Sequence, residues 1–307
     1  MNEWSVAVEQ RHRLGEGLHW EAGRARLWWV DIQAGTVHAW NLHLGEPPLT
    51  WRVPERVGWV LPLRRHGEAT DPQAEFGPML LGLQGGVVRW DPGTGKIDPA
   101  SWIRPWPEGS PLRLNDAKAD VSGRIWAGSL NHGDEQRPDG CLMHIDPATS
   151  TLKVLDAGYR VANGPAIHPD GQLLLHTDSV TRTIYAFDLD ADEGRIDNKR
   201  VWKQFHGDEG HPDGMNFDAE GGLWLAHWGG ACISRYAPNG DLLRRVALPT
   251  SHITNVCFAG PGLDRLFVTS ATAGLSDEQS AAQPLAGAVF EVDAQGVKGL
   301  PGLPALA

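Results

Sequence analysis

One pattern recurs along this chain: a glycine-bearing turn, a short apolar strand, then a second strand ending on Asp or another turn residue. Six stretches fit it. They are GLHWEAGRARLWWVDIQAGTVHAW (17–40), WVLPLRRHG…PMLLGLQGGVVRWDP (59–92, with a long polar insert) and AKADVSGRIWAGSL…GCLMHIDP (117–147). AIHPDGQLLLHTDSVTRTIYAFDLD (166–190), NFDAEGGLWLAHWGGACISRYAPNG (216–240) and VCFAGPGLDRLFVTSA…GAVFEVDAQG (256–296) follow. Units of about 40–50 residues built from strands are the mark of radial repetition, which protects the sheet edges that a line of hairpins would expose. The repeat predicts an all-β fold, a six-bladed β-propeller with four antiparallel strands per blade, with residues 1–307 as a single domain. Paired β-sandwiches would also hold many short strands, but would not explain why the units resemble one another. Composition agrees: 14 tryptophans sit largely in strand-like runs such as LWWVD and LWLAHW, punctuated by 37 glycines and 22 prolines. Only residues 273–283 hint at a helix.

The formal net charge of −11 argues against nucleic acid or an anionic membrane as partner, and leaves a small neutral substrate open. The N-terminal MNEWSVAVEQRHRLGEG has no cationic stretch leading into an apolar one, and no run approaches 18 apolar residues. A cytoplasmic protein with neither signal peptide nor membrane helix is expected. The three cysteines, Cys141, Cys232 and Cys257, are widely spaced in apolar segments and are expected to be reduced.

The tetrapeptide HPDG occurs at 168–171 and again at 211–214. Aligning the repeats separates the copies. Gly171 falls in register with Gly123 of DVSGR and Gly221 of DAEGG, so the first copy is a turn between strands. The second copy lies seven residues earlier in its own repeat. Eight residues before each turn glycine stand Asn115, Asn163 and Asp213. Blade one offers Glu16 by the same alignment, blade six offers Thr254, and blade two has no clear counterpart. Rotation about a propeller axis brings equivalent positions together, and this one opens an innermost strand. Glu16, Asn115, Asn163 and Asp213 should therefore converge at the mouth of the central channel as a ring of oxygen donors. Two carboxylates and two amide carbonyls suit a hard divalent cation such as Ca²⁺, Mg²⁺, Mn²⁺ or Fe²⁺. Without a cation, the carboxylates would repel and one would hold its proton. Of the histidines near strand ends, His176, His211, His227 and His252 are expected to be structural or at the rim, with His211 the one placed beside Asp213.

LGEG (14–17), RLNDAKADVSGRIWAG (113–128), VANGPAIHPDG (161–171), HTDS (176–179), TIYAFDLD (183–190), HPDGMNFDAEGGLWLA (211–226) and TSA (269–271) together resemble one family: the SMP-30/gluconolactonase (regucalcin-like) group of six-bladed propeller lactonases. The likeness runs from about residue 12 to 292 and is greatest to bacterial aldonolactonases, including xylonolactonase-like enzymes. It implies metal ligands at Glu16, Asn163 and Asp213, and substrate contacts from Arg113 and Asn115. It implies one divalent cation, whether Ca²⁺, Fe²⁺, Mn²⁺, Mg²⁺ or Zn²⁺. Some animal members carry a substrate-contacting Glu where this chain reads SLNHGDEQRPDG (129–140), which places Gly133 there with Asp134 and Glu135 beside it.

The expected chemistry is metal-dependent hydrolysis of a sugar-acid lactone to the aldonic acid. The metal would polarise the carbonyl, Asp213 would activate water, and Arg113 and Asn115 would donate hydrogen bonds. No G-x-S-x-G elbow supplies a nucleophile. An organophosphate or ester hydrolase on the same propeller, or a non-catalytic metal-binding propeller, are the alternatives.

Overall fold

The computed structural model describes residues 3–71 and 73–307. Six sheets stand in a ring. Blade 1 runs Gly15–Glu21, Arg26–Asp31, Thr36–Asn41 and Leu49–Arg52. Blade 2 runs Val57–Arg64, Met79–Leu83, Gly86–Asp91 and Lys96–Ile97; the short strand Ala305–Leu306 lies parallel to its first strand, opposite Leu63 and Arg64. Blade 3 runs Leu112–Ala119, Ile125–Asn131, Gly140–Asp146 and Thr151–Tyr159. Blade 4 runs Ala162–Ile167, Leu173–Asp178, Thr183–Asp190 and Arg195–Gln204. Blade 5 runs His211–Phe217, Leu223–Trp228, Cys232–Tyr236 and Leu242–Ala247. Blade 6 takes Ile253–Ala259, Arg265–Ser270 and Val289–Val292, and is completed by Trp4–Val8 from the other end of the chain, antiparallel to Val289–Val292. The first strand of each blade packs against the first strand of the next, so these six surround the axis.

The all-β propeller expected from the repeat is therefore present, with four antiparallel strands drawn from each repeat and its flanks. The repeat units nevertheless stop short of the outermost strand in every blade. Thr151–Tyr159 and Arg195–Gln204 are largely exposed on both faces, so they lack the apolar pattern that marks the inner strands. The stretch at 273–283 does contain a helix, Asp277–Ala282, opened by a capping box in which Ser276 Oγ accepts from Gln279 N and Gln279 Oε1 accepts from Ser276 N. Among the described residues no helix is long and apolar enough to cross a membrane. Cys141, Cys232 and Cys257 are free thiols.

In blades 3 and 5 a buried tryptophan and a turn aspartate act together. At the exit of blade 3's inner strand, Asp120 accepts from Ser122 N, Arg124 N and the buried Trp126 Nε1. Asp218 does the same in blade 5 with Glu220 N, Gly222 N and Trp224 Nε1. The D-x-x-G-x-x-W spacing thus ties each turn to a large side chain between blades, and satisfies an indole that burial would otherwise strand.

Candidate functional site

The two HPDG copies part as the repeat predicts. Gly171 closes a turn onto His168 O with φ of +72°, the conformation glycine adopts at no steric cost, and Asp170 is exposed. His211–Gly214 instead opens the inner strand of blade 5, where Asp213 is buried.

Two features deliver side chains to the channel mouth. First, an aspartate at the end of a second strand anchors the segment leading into the inner strand beside it. Asp31 accepts from Arg13 N and Leu14 N just ahead of Glu16. Asp178, of HTDS, accepts from Arg160 N and Val161 N just ahead of Asn163. Second, the pairing of every inner strand with its neighbour shifts register near this point, between Glu16 and His19, Val57 and Trp59, Leu114 and Ala117, Asn163 and Ala166, Pro212 and Met215, and Ile253 and Asn255. A bulge breaks strand alternation, so consecutive residues can both point inward.

A cleft of about 360 Å³ opens at this mouth. Glu16, Arg113, Asn115, Asn163 and Asp213, the five residues singled out in the sequence, all line it. Asn163 Nδ2 hydrogen-bonds Asp213 Oδ1, and Asn163 Oδ1 accepts from Gly164 N at 3.2 Å. Arg113 Nη1 donates to Asn115 Oδ1 at 2.7 Å and to Leu114 O at 3.0 Å, while Asn115 Nδ2 donates to Ala162 O at 2.9 Å. Asn115 thus holds Arg113 in place and ties blade 3 to blade 4. Ser179 Oγ donates to Pro212 O at 2.7 Å and locks blade 4 to blade 5 beside Asp213.

Blade six corrects one expectation. Thr254 is fully buried and its hydroxyl faces Gly15 O and Thr269 Oγ1, away from the cleft. Its neighbour Asn255 points to the channel, where Nδ2 donates to Glu16 Oε2 at 3.0 Å and to Asp116 Oδ2 at 3.3 Å. Blade two lacks a polar counterpart for a steric reason: a Cβ at Gly58 would stand 2.3 Å from Asn115 O. The bare glycine lets the bulged strand of blade 3 approach.

The charges here are far from their ordinary behaviour. Burial, then the neighbouring Asp116, push the Glu16 carboxyl up to about 8. Burial, then Glu16 and Asp116, raise Asp213 well above the carboxylate range. Asp116 is raised by burial as well. Burial pulls Arg113 down to about 10, opposed by Glu135 and Glu16, so the guanidinium stays charged at neutral pH.

Asp116 and Asn255 went unnoticed in the sequence because each sits one place off the repeat register, on the extra residue that a bulge turns inward. Of the two acids of that loop, Glu135 lines the cleft and its charge acts on Arg113, whereas Asp134 does not line it. Gln33 and Trp228 lie outside the inner strands, away from the register that Asn115, Asn163 and Asp213 share. His211 lines the cleft with Nδ1–H donating to Ser179 O at 2.8 Å. His176 and His227 are buried away from it, and His252 stands behind Trp228.

Among the described residues no group of three His, Cys, Asp or Glu side chains is arranged to hold a metal. The cleft offers a different set: two buried carboxylates, Glu16 and Asp213, beside the carboxamide of Asn163. Oxygen donors carrying two acids that resist ionisation fit a hard divalent cation, whose charge would relieve both.

Residues 14–272 match the model of the SMP-30/gluconolactonase/LRE-like region, and the chain belongs to that family. L-Arabinolactonase of Azospirillum brasilense is 33% identical over 288 residues, covering 93% of this chain and 90% of that one. Pentonolactonase of Haloferax volcanii is 30% identical over 292 residues, covering 93% and 92%. Among solved structures, a calcium-binding protein, regucalcin, from Agrobacterium tumefaciens superposes with a TM-score of 0.87 at 25% identity, covering 98% and 97%.

Proposed function

We propose that this chain, a lactone hydrolase by family, opens an aldono-1,4- or 1,5-lactone to the aldonic acid with a divalent cation held by Glu16, Asn163 and Asp213. The observation that carries the reading is the pairing, in one polar cleft, of two buried carboxylates with a buried guanidinium. Carboxylates confined in this way gain from a cation; a lactone carbonyl gains from the guanidinium. When bound, the cation supplies Lewis-acid polarisation of the carbonyl and keeps both acids ionised.

The chain's own residues do the rest. Asp213 takes a proton from the attacking water as the O–C bond forms, and returns it to the ring oxygen as the lactone C–O bond breaks. Arg113, fixed by Asn115 and Leu114 O, directs its remaining N–H groups at the carbonyl oxygen or at ring hydroxyls. Ser179 and Asn163 fix the blade edge on which Asp213 stands.

The test is a panel of aldono-1,4- and 1,5-lactones followed by acid release, with an apolar aryl ester alongside. Hydrolysis of at least one aldonolactone is expected, with Asp213→Asn lowering kcat/KM by about 10²–10⁴-fold. Full activity in that variant, or preference for the apolar ester, would overturn the reading.

A further inference from the structure

The cleft is lined by polar groups from four blades and by one indole. The polar part includes the exposed Gln33 and Glu135 and the buried Arg113 from blades 1 and 3, with Ser179, His211 and Asp213 from blades 4 and 5. Blades 4 to 6 also contribute Val180, Trp228, Ala273 and Gly274. Trp228 is half-buried and lies flat on His252, ring centroids 4.0 Å apart and planes 9° apart. His252 is itself held by Nδ1–H donating to Ala273 O at 2.9 Å, and backbone pairing joins Trp228 to both His211 and His252. Burial holds the His252 imidazole below its ordinary value, against the opposing bond to Ala273 O. One indole face is thus covered by a fixed ring, and what remains open borders the cleft.

An aldonolactone has two unlike sides. Its hydroxyls form a polar edge, and its C–H bonds, polarised by the oxygens beside them, form a face of slight positive charge. An indole face is negative and apolar, and attracts such a surface while removing it from water. We infer that Trp228, backed by His252, is the specificity-determining platform that receives the C–H face of the sugar ring, turning the hydroxyl edge toward Gln33, Arg113 and Glu135. This rests on the lactone reading above. Because Trp228 contacts parts of the ring that do not react, it contributes binding equally before and during ring opening.

The experiment is steady-state kinetics on glucono-1,5-lactone and xylono-1,4-lactone for Trp228→Ala, Trp228→Phe and His252→Ala. Trp228→Ala is expected to raise KM about tenfold or more with kcat within about threefold, Trp228→Phe to recover most of that loss, and His252→Ala to raise KM by about threefold. On δ-valerolactone, which has the ring but no hydroxyls to polarise it, Trp228→Ala should change KM by less than about threefold. An unchanged KM in folded Trp228→Ala, or a loss confined to kcat, overturns the inference. If the wild type hydrolyses no aldonolactone, the functional reading fails separately. Calorimetric titration with gluconate and xylonate then decides the platform: weaker binding by Trp228→Ala supports it, and equal affinity, or none in either protein, overturns it.

Discussion

Replacing Glu16 by Gln in cation-free protein should flatten a pH dependence of stability that the wild type carries. The Glu16 carboxyl stands at about 8, against an ordinary value of 4.5. Because the folded state holds this proton more tightly than the unfolded state, its stability is full below about pH 4.5 and is lost as pH rises through 8. At about 1.36 kcal/mol for each decade, the whole span amounts to about 5 kcal/mol. Buried histidines slope the other way. His19, His38 and His176 are each held down to about 3 by burial, so they make stability rise with pH up to about 6.5 and contribute nothing further above it. The window from pH 6.5 to 8 therefore isolates the acids. Glu16 accounts for about 2 kcal/mol there, or about 3 °C in Tm for a chain of this length. Asp213 acts in the same direction in both proteins. Thermal unfolding in chelator across this window should show wild-type Tm falling by about 3 °C more than that of Glu16→Gln, and excess divalent cation should abolish the wild-type fall. Parallel slopes in the two proteins, or a wild-type Tm rising with pH above 6.5, would refute the argument that Glu16 is a strained acid awaiting a cation.

Gly58→Ala should destabilise by about 1–3 kcal/mol, read from a urea midpoint, because its Cβ meets Asn115 O; an unchanged midpoint would mean that blades 2 and 3 are not closely packed there. We propose that residues 1–307 behave as one domain, closed by Trp4–Val8 in blade 6. Deleting residues 1–8 should then lower Tm by about 10 °C in a single transition, whereas two separated transitions on calorimetry would contradict a single domain. Arg113→Lys keeps the charge but loses the fork fixed by Asn115, and should lower kcat/KM by about tenfold or more; wild-type turnover would remove Arg113 from the mechanism.

What the sequence discloses follows from which positions the repeat controls. The D-x-x-G-x-x-W turn recurs in blades 3 and 5, where a buried indole is satisfied by the turn aspartate, so those inner hairpins are legible. Asn115, Asn163 and Asp213 are legible because they share one register in the inner strands. The outer strands are not, since exposed residues such as those of Arg195–Gln204 obey no buried period. Thr254 marks the limit of register alone: the inner strand of blade 6 shifts at this point, and Asn255 turns inward in its place. Asp116 escaped for the same reason, and Trp228 because it closes a second strand, away from the inner-strand register that Asn115, Asn163 and Asp213 share.

The most direct test is the rate of aldonolactone opening by metal-stripped wild-type protein, measured before and after a single divalent cation is restored. The rate should fall to the uncatalysed background on stripping, return with at least one oxygen-preferring cation, and fail to return in Asp213→Asn. Undiminished turnover by the stripped protein would contradict the claim that Glu16, Asn163 and Asp213 work by holding a cation.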